Sequence, residues 1–196
     1  MGPNYTRYNR RGFEAPVHNI RYAAVLALLA ATVLAARAVV AQGGIDAKQE
    51  ALLKRLFPAA TAFSPKGGDP PHFKAFSGDA RSGQTLLGLA FWTTELEPFE
   101  RAYDGPIKIL VGMDPKGVLT GVIVTEHHEP YGNFSVDLPG FAAQFRGKSI
   151  RDAFKVGADI DAVSRATISV TSASRAVRNS ARRVARQLLA PPEPAK

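Results

Sequence analysis

Between Pro106 and Thr125 two short apolar, β-branched runs, Pro106 to Gly112 and Val118 to Thr125, are joined by Asp114-Pro115-Lys116-Gly117. A proline and a glycine inside four turn-forming residues stop one strand and start the next. Ile107-Lys108-Ile109-Leu110-Val111-Gly112 is therefore predicted to pair with Leu119-Thr120-Gly121-Val122-Ile123-Val124. Phe73 to Phe76 and Thr85 to Thr94 have the same character and read as further strands, and Ser64 to Pro71 reads as a loop.

Three segments carry helical spacing instead. Asp46 is placed to cap a helix running to about Phe57, with Ala47, Leu52, Leu53, Leu56 and Phe57 as its apolar side and Pro58 as its stop. Leu138 to Phe145 is a second, closed by Arg146-Gly147-Lys148. A third runs from Ser164 or Thr167 to Leu188, where Ala173, Val177, Ala181, Val184 and Leu188 recur every three or four residues and form one stripe. The expected fold is α+β, a small mixed or antiparallel sheet with packed helices over residues 46–190.

Upstream, Tyr22 to Ala36 is an unbroken apolar run, Arg37 interrupts it, and Ala38 to Ala41 extend it to the ~20 residues of a membrane span. Arg7, Arg10, Arg11 and Arg21 precede it, which places residues 1–21 as a cytoplasmic basic tail. Residues 22–41 then read as one N-terminal transmembrane helix, or as a signal segment ending at Val39-Val40-Ala41. Both readings export the domain downstream. The expected location is the inner membrane, single-pass, with the domain on the periplasmic side and residues 191–196 as a tail.

The chain has no cysteine, which excludes disulfides, thiolate-bound zinc, Cys-ligated iron–sulfur clusters and covalent c-type haem. Its net charge of +8 is concentrated toward the ends. Arg175, Arg178, Arg182, Arg183 and Arg186 crowd the last helix but lack interleaved base-stacking aromatics, so nucleic acid is not the expected partner. A solvated helix face is the commoner meaning of such a cluster, and a docking face for an acidic redox partner is the functional reading it favours over nucleic acid.

The stretch Asp161-Ala162-Val163-Ser164-Arg165-Ala166-Thr167-Ile168-Ser169-Val170 carries the most chemistry. Asp161 and Ser164 read as N-cap residues, and a helix start offers free N–H groups and partial positive charge to a phosphate. Hydroxyls of Ser164, Thr167 and Ser169 and the Arg165 guanidinium add further donors. The same residues also fit an ordinary capped helix. His127 and His128 are adjacent at a strand end and point to opposite faces, so no metal site is expected there. Trp92 is expected in the core, and Tyr131 is left as either a stacking or a structural aromatic.

Ser164, Ala166, Thr167 and Ser169, with Asp161 upstream, resemble the S-G-A-T-x-[ST] flavinylation motif of the FMN-binding domain family. That family includes flavinylated subunits of the Rnf and sodium-pumping NADH:quinone oxidoreductase complexes and the regulator NosR. Two more blocks follow the family pattern in order. They are the hairpin from Gly105 to Val122 with His127-His128-Glu129 after it, and Phe141-Ala142-Ala143-Gln144-Phe145-Arg146-Gly147-Lys148. Arg165 stands where the family has glycine, and Pro130-Tyr131-Gly132-Asn133-Phe134 replaces its Thr-Pro-Gly-Leu-Gly.

The resemblance implies FMN held covalently by a phosphoester on Thr167. It places Ser164, Arg165, Ala166, Ser169 and Asp161 around the phosphate and His127 and Glu129 at the flavin or its loop. It further implies a flavin transferase for maturation, a membrane-bound iron–sulfur or haem redox protein as partner, and electron transfer as the function. A redox-sensing regulatory or assembly module, with or without flavin, is the alternative.

Overall fold

The computed structural model describes residues 45–78 and 83–189. The apolar run at 22–41, its basic flank and the 191–196 tail lie outside them. Five strands form one antiparallel sheet in chain order: β1 (Ala62–Phe63), β2 (Phe73–Ser77), β3 (Thr85–Trp92), β4 (Lys108–Met113) and β5 (Leu119–Glu126). Among the described residues five helices accompany it: α1 (Ala47–Leu56), the short α2 (Thr93–Leu96), a 3-10 turn (Gly132–Phe134), α3 (Pro139–Ala143) and the long α4 (Thr167–Leu188). The expected α+β class holds, and the sheet is antiparallel throughout. Among the described residues no helix is long and apolar enough to cross a membrane.

The hairpin falls where the sequence puts it, with Leu110 opposite Ile123 and Val111 opposite Val122. Asp114 tightens the turn, its Oδ1 accepting the N–H of Lys116 at 2.8 Å and of Val118 at 2.9 Å. Strand alternation then divides the apolar residues between two faces. Ile109, Val111 and Met113 face a core shared with Phe91, Phe145 and the α4 stripe of Val170, Ala173, Val177, Ala181 and Val184. Leu110, Ile123, Ala90 and Trp92 face a second core closed by Leu53, Leu56 and Phe57 of α1. Trp92 is thus a core residue, as expected.

α1 starts where Asp46 caps it, its Oδ1 accepting the Gln49 N–H at 2.8 Å. Of its five expected apolar residues, Leu53, Leu56 and Phe57 are buried, Leu52 is half-buried and Ala47 faces solvent. The Phe57 ring lies on a glycine platform: a Cβ on Gly88 would stand 2.6 Å from Phe57 Cε1. A side chain there would lift α1 off the sheet. The two-residue edge strand β1 is too short to show any periodicity and was not legible in the sequence. Strand β3 stops two residues earlier than its apolar run, because Thr93 and Thr94 open α2. There the buried Thr93 Oγ1 donates to the Ile107 carbonyl at 3.2 Å and accepts the Ile109 N–H at 3.1 Å.

Candidate functional site

α4 begins at Thr167, with Ala166 in the cap position and no side-chain cap. The expectation that Asp161 and Ser164 cap this helix is corrected here. Both are exposed, and the turn ahead of the helix is closed by a backbone bond from the Ala166 N–H to the Val163 carbonyl at 3.1 Å. Asp161 instead donates its own N–H to Gln144 Oε1 at 2.7 Å. With the cap position empty of oxygen, the N–H groups of Thr167, Ile168 and Ser169 have no acceptor among the described residues. A 22-residue helix with no acid in its first turn thus points its positive end at solvent beside the exposed Thr167 hydroxyl.

Arg165 adopts φ +67°. This left-handed conformation is the one glycine takes freely, and here an arginine adopts it. The Arg165 side chain is exposed, as are those of Ser164 and Thr167, while Ala166 is buried.

Ser169 turns inward, and its hydroxyl donates to Glu129 Oε2, itself only 7% exposed. Glu129 gathers two more donors from a distant loop, the Asp104 N–H at 2.8 Å and the Tyr103 N–H at 3.2 Å. Its own N–H donates to His127 Nδ1 at 3.1 Å. With Nδ1 accepting, the proton of the neutral ring sits on Nε2, which donates to Asp137 Oδ1 at 2.8 Å. Gly132 makes room for this ring: a Cβ there would lie 2.1 Å from His127 Cε1. His127 and Glu129 therefore order the loop and tie it to the start of α4. His128 faces solvent away from this network, and no group of three metal-ligating side chains converges among the described residues.

The loops joined by Glu129 and the first turn of α4 carry exposed apolar side chains: Tyr103 (70% exposed), Phe134 (72%), Ile168 (58%), Tyr131 and Leu138. Each lies within a few residues of a member of the Glu129 network, and together they are an exposed apolar fringe on the segments that network joins. Tyr131, left open by the sequence, belongs to this fringe and not to the core. Sequence reasoning missed Tyr103, Phe134, Leu138 and Ile168 because an exposed aromatic and a buried one look alike in one dimension.

The C-terminal arginines behave differently from expectation. Arg175 forks onto Glu100, with Nε to Oε2 at 2.7 Å and Nη2 to Oε1 at 2.8 Å, where Ser172 Oγ also donates. Burial works against the Glu100 carboxylate, but the hydrogen bonds from Arg175 and Ser172 outweigh it and hold its pKa below the ordinary 4.5. Arg182 donates to the Ile150 and Asp152 carbonyls, and Arg183 to that of Leu96, each at 2.8 Å. Three of the five thus fasten α4 to the body of the domain, while Arg178 and Arg186 have no salt bridge to an acid among the described residues.

Taken as a class, this is an α+β domain that presents an exposed threonine and amides without acceptors at a helix start, an arrangement that can take up an anionic group such as phosphate. Residues 102–182 match the family model of the FMN-binding domain. The chain is 34% identical over 114 residues to the regulatory protein NosR of Pseudomonas aeruginosa, a match covering 53% of this chain and 16% of that one. It is 27% identical over 150 residues to NosR of Stutzerimonas stutzeri, covering 71% and 20%. It is 42% identical over 53 residues to a subunit of the ion-translocating oxidoreductase complex of Haemophilus influenzae, covering 27% and 24%. The matched parts thus span less than a quarter of these relatives' own lengths.

Proposed function

We propose that this protein is a membrane-tethered electron carrier holding FMN through a phosphoester between the Thr167 oxygen and the cofactor's phosphate. The observation that carries the reading is the placement of Thr167, exposed at the first residue of α4 inside the FMN-binding match. Bound flavin supplies reversible electron uptake and release that no side chain of this chain provides. The residues divide the remaining work. Thr167 supplies the attachment oxygen, and the free N–H groups of Thr167, Ile168 and Ser169 meet the phosphate's charge, with the Arg165 guanidinium adjacent. Glu129, through Ser169, holds the helix start in place, and Tyr103, Tyr131, Phe134 and Ile168 offer apolar cover to a planar ring.

A flavin transferase would form the ester after export, and a membrane-bound iron–sulfur or haem protein would exchange electrons with it. The names of the longer-matching relatives support a second reading, a redox-responsive regulatory module on the same scaffold. The test is intact mass and in-gel flavin fluorescence after denaturation, on wild type and Thr167→Ala made in a host with an exported flavin transferase. An FMN-sized mass on wild type that the variant lacks is the expected result. Wild type without covalent flavin in that host overturns the carrier and leaves the regulatory reading.

A further inference from the structure

A trough runs from the α1 face of the sheet over the β5 edge to α3. One part, about 450 Å³, is lined by Lys48, Leu52, Arg55, Trp92 and Ile123 among others. A second, about 270 Å³, runs on past Gly121 and Val122 to Ala143 and Arg146. Arg55 and Ile123 line both, so the two parts adjoin along β5.

Three properties of this trough point to one kind of occupant. The first is its floor: β5 is the last strand of the sheet, and its outer side is hydrogen-bonded at its start, where Leu119 exchanges backbone bonds with Gly147 and Lys148 at 2.8 Å. From Gly121 to Thr125 the backbone bonds only to β4 among the described residues, with Gly121 to Ile123 buried at the foot of the trough and Thr125 exposed at its mouth, which leaves an edge that another strand can extend. The second is charge. Lys108 is paired with Glu126 at 3.6 Å, and Asp46 is committed to its cap. Lys48, Arg55 and Arg146 have no acidic partner among the described residues. Arg146 reaches over the strand, its Nη2 3.8 Å from where a Gly121 Cβ would stand. The third is the apolar wall of Leu52, Trp92 and Ile123 between these cations.

We propose that this trough docks an extended, acidic segment of a partner protein as a sixth strand along β5. Backbone pairing supplies affinity, while alternating side chains set specificity by meeting the apolar wall and the three cations. An anionic bilayer fits less well, because a broad surface cannot follow a trough whose apolar wall is recessed between helices. Neither part is lined by Thr167 or any other residue of α4, so the partner would hold the domain without covering the helix start. The proposal is independent of the flavin reading, and the two fail separately: covalent flavin mass reports only Thr167.

Trp92 is the chain's one tryptophan, so its emission reports the trough directly. The full chain is titrated with a peptide of about eight residues alternating Glu and Val, as a generic acidic strand. The expected result is a saturable change in Trp92 emission with slowed amide exchange from Gly121 to Thr125. Salt and the Arg55→Glu/Arg146→Glu pair should each weaken binding, the pair by about tenfold or more. Lys48→Glu, an exposed substitution on α1, gives the same direction if the pair fails to fold. The proposal is overturned by no Trp92 response, by an equal response to a Lys/Val peptide, or by a response to phosphatidylglycerol vesicles alone. Peptide binding that emerges only after removal of residues 1–44 also overturns it, in favour of the chain's own segment as occupant.

Discussion

Replacing Glu129 tests whether three separate stretches of chain are held together by one carboxylate. In Glu129→Ala the Asp104 N–H, the Tyr103 N–H and the Ser169 hydroxyl lose their acceptor in a site only 7% exposed. A hydrogen bond to a charged group contributes about 1.5–3 kcal/mol, so three bonds taken singly would exceed about 4 kcal/mol. Water entering the vacated volume can serve the two loop amides, which brings the expected loss to about 3 kcal/mol. Glu129→Gln keeps the volume and one acceptor oxygen, and the Ser169 hydroxyl can rotate to accept from the new amide. One backbone N–H then goes unmet, for a loss of about 1–2 kcal/mol. Urea titration gives both values, and thermal unfolding should place Glu129→Ala roughly 6–12 °C below wild type. A Glu129→Ala loss under about 0.5 kcal/mol would refute the hub and, with it, the view that Glu129 positions the start of α4.

Two further outcomes rest on single residues. Arg165→Gly should raise stability by about 0.5 kcal/mol in urea titration, because relief of the left-handed arginine, roughly 1–2 kcal/mol, exceeds the added freedom of glycine in the unfolded chain, roughly 0.5–1 kcal/mol. A loss in that variant would mean the Arg165 side chain makes a stabilising contact. Acid should weaken the fold through Glu100, whose folded pKa lies below its ordinary 4.5. The stability it contributes is complete above 4.5 and is lost as pH falls through the lower folded value. Urea midpoints measured from about pH 6 to pH 3 should therefore drop less steeply for Glu100→Gln than for wild type. Equal slopes would place the acid sensitivity elsewhere.

Much of the architecture was legible because it rests on local rules. The hairpin at Asp114-Pro115-Lys116-Gly117, the Asp46 cap and the α4 stripe each depend on neighbours a few residues apart, and each is where spacing put it. The cap at Asp161 or Ser164 was misplaced for the same reason: both residues have the right chemistry, but the chain turns at Val163 and Ala166 and leaves the helix start bare. Thr167 was singled out through a motif, a pattern along the chain.

The Glu129 network could not be found that way, since Ser169 lies 40 residues from Glu129 and Tyr103 lies 26. The arginines of α4 show the same division. Sequence determines that they lie on one helix, opposite an apolar stripe, with a fixed positive charge. Only the folded chain decides that Arg175 meets Glu100 and that Arg182 and Arg183 meet carbonyls, while Arg55 and Arg146 stay without an acidic partner beside β5 among the described residues. Periodicity assigns a residue to a side of its own element, whereas a charge acquires its partner only when packing brings another element within about 4 Å.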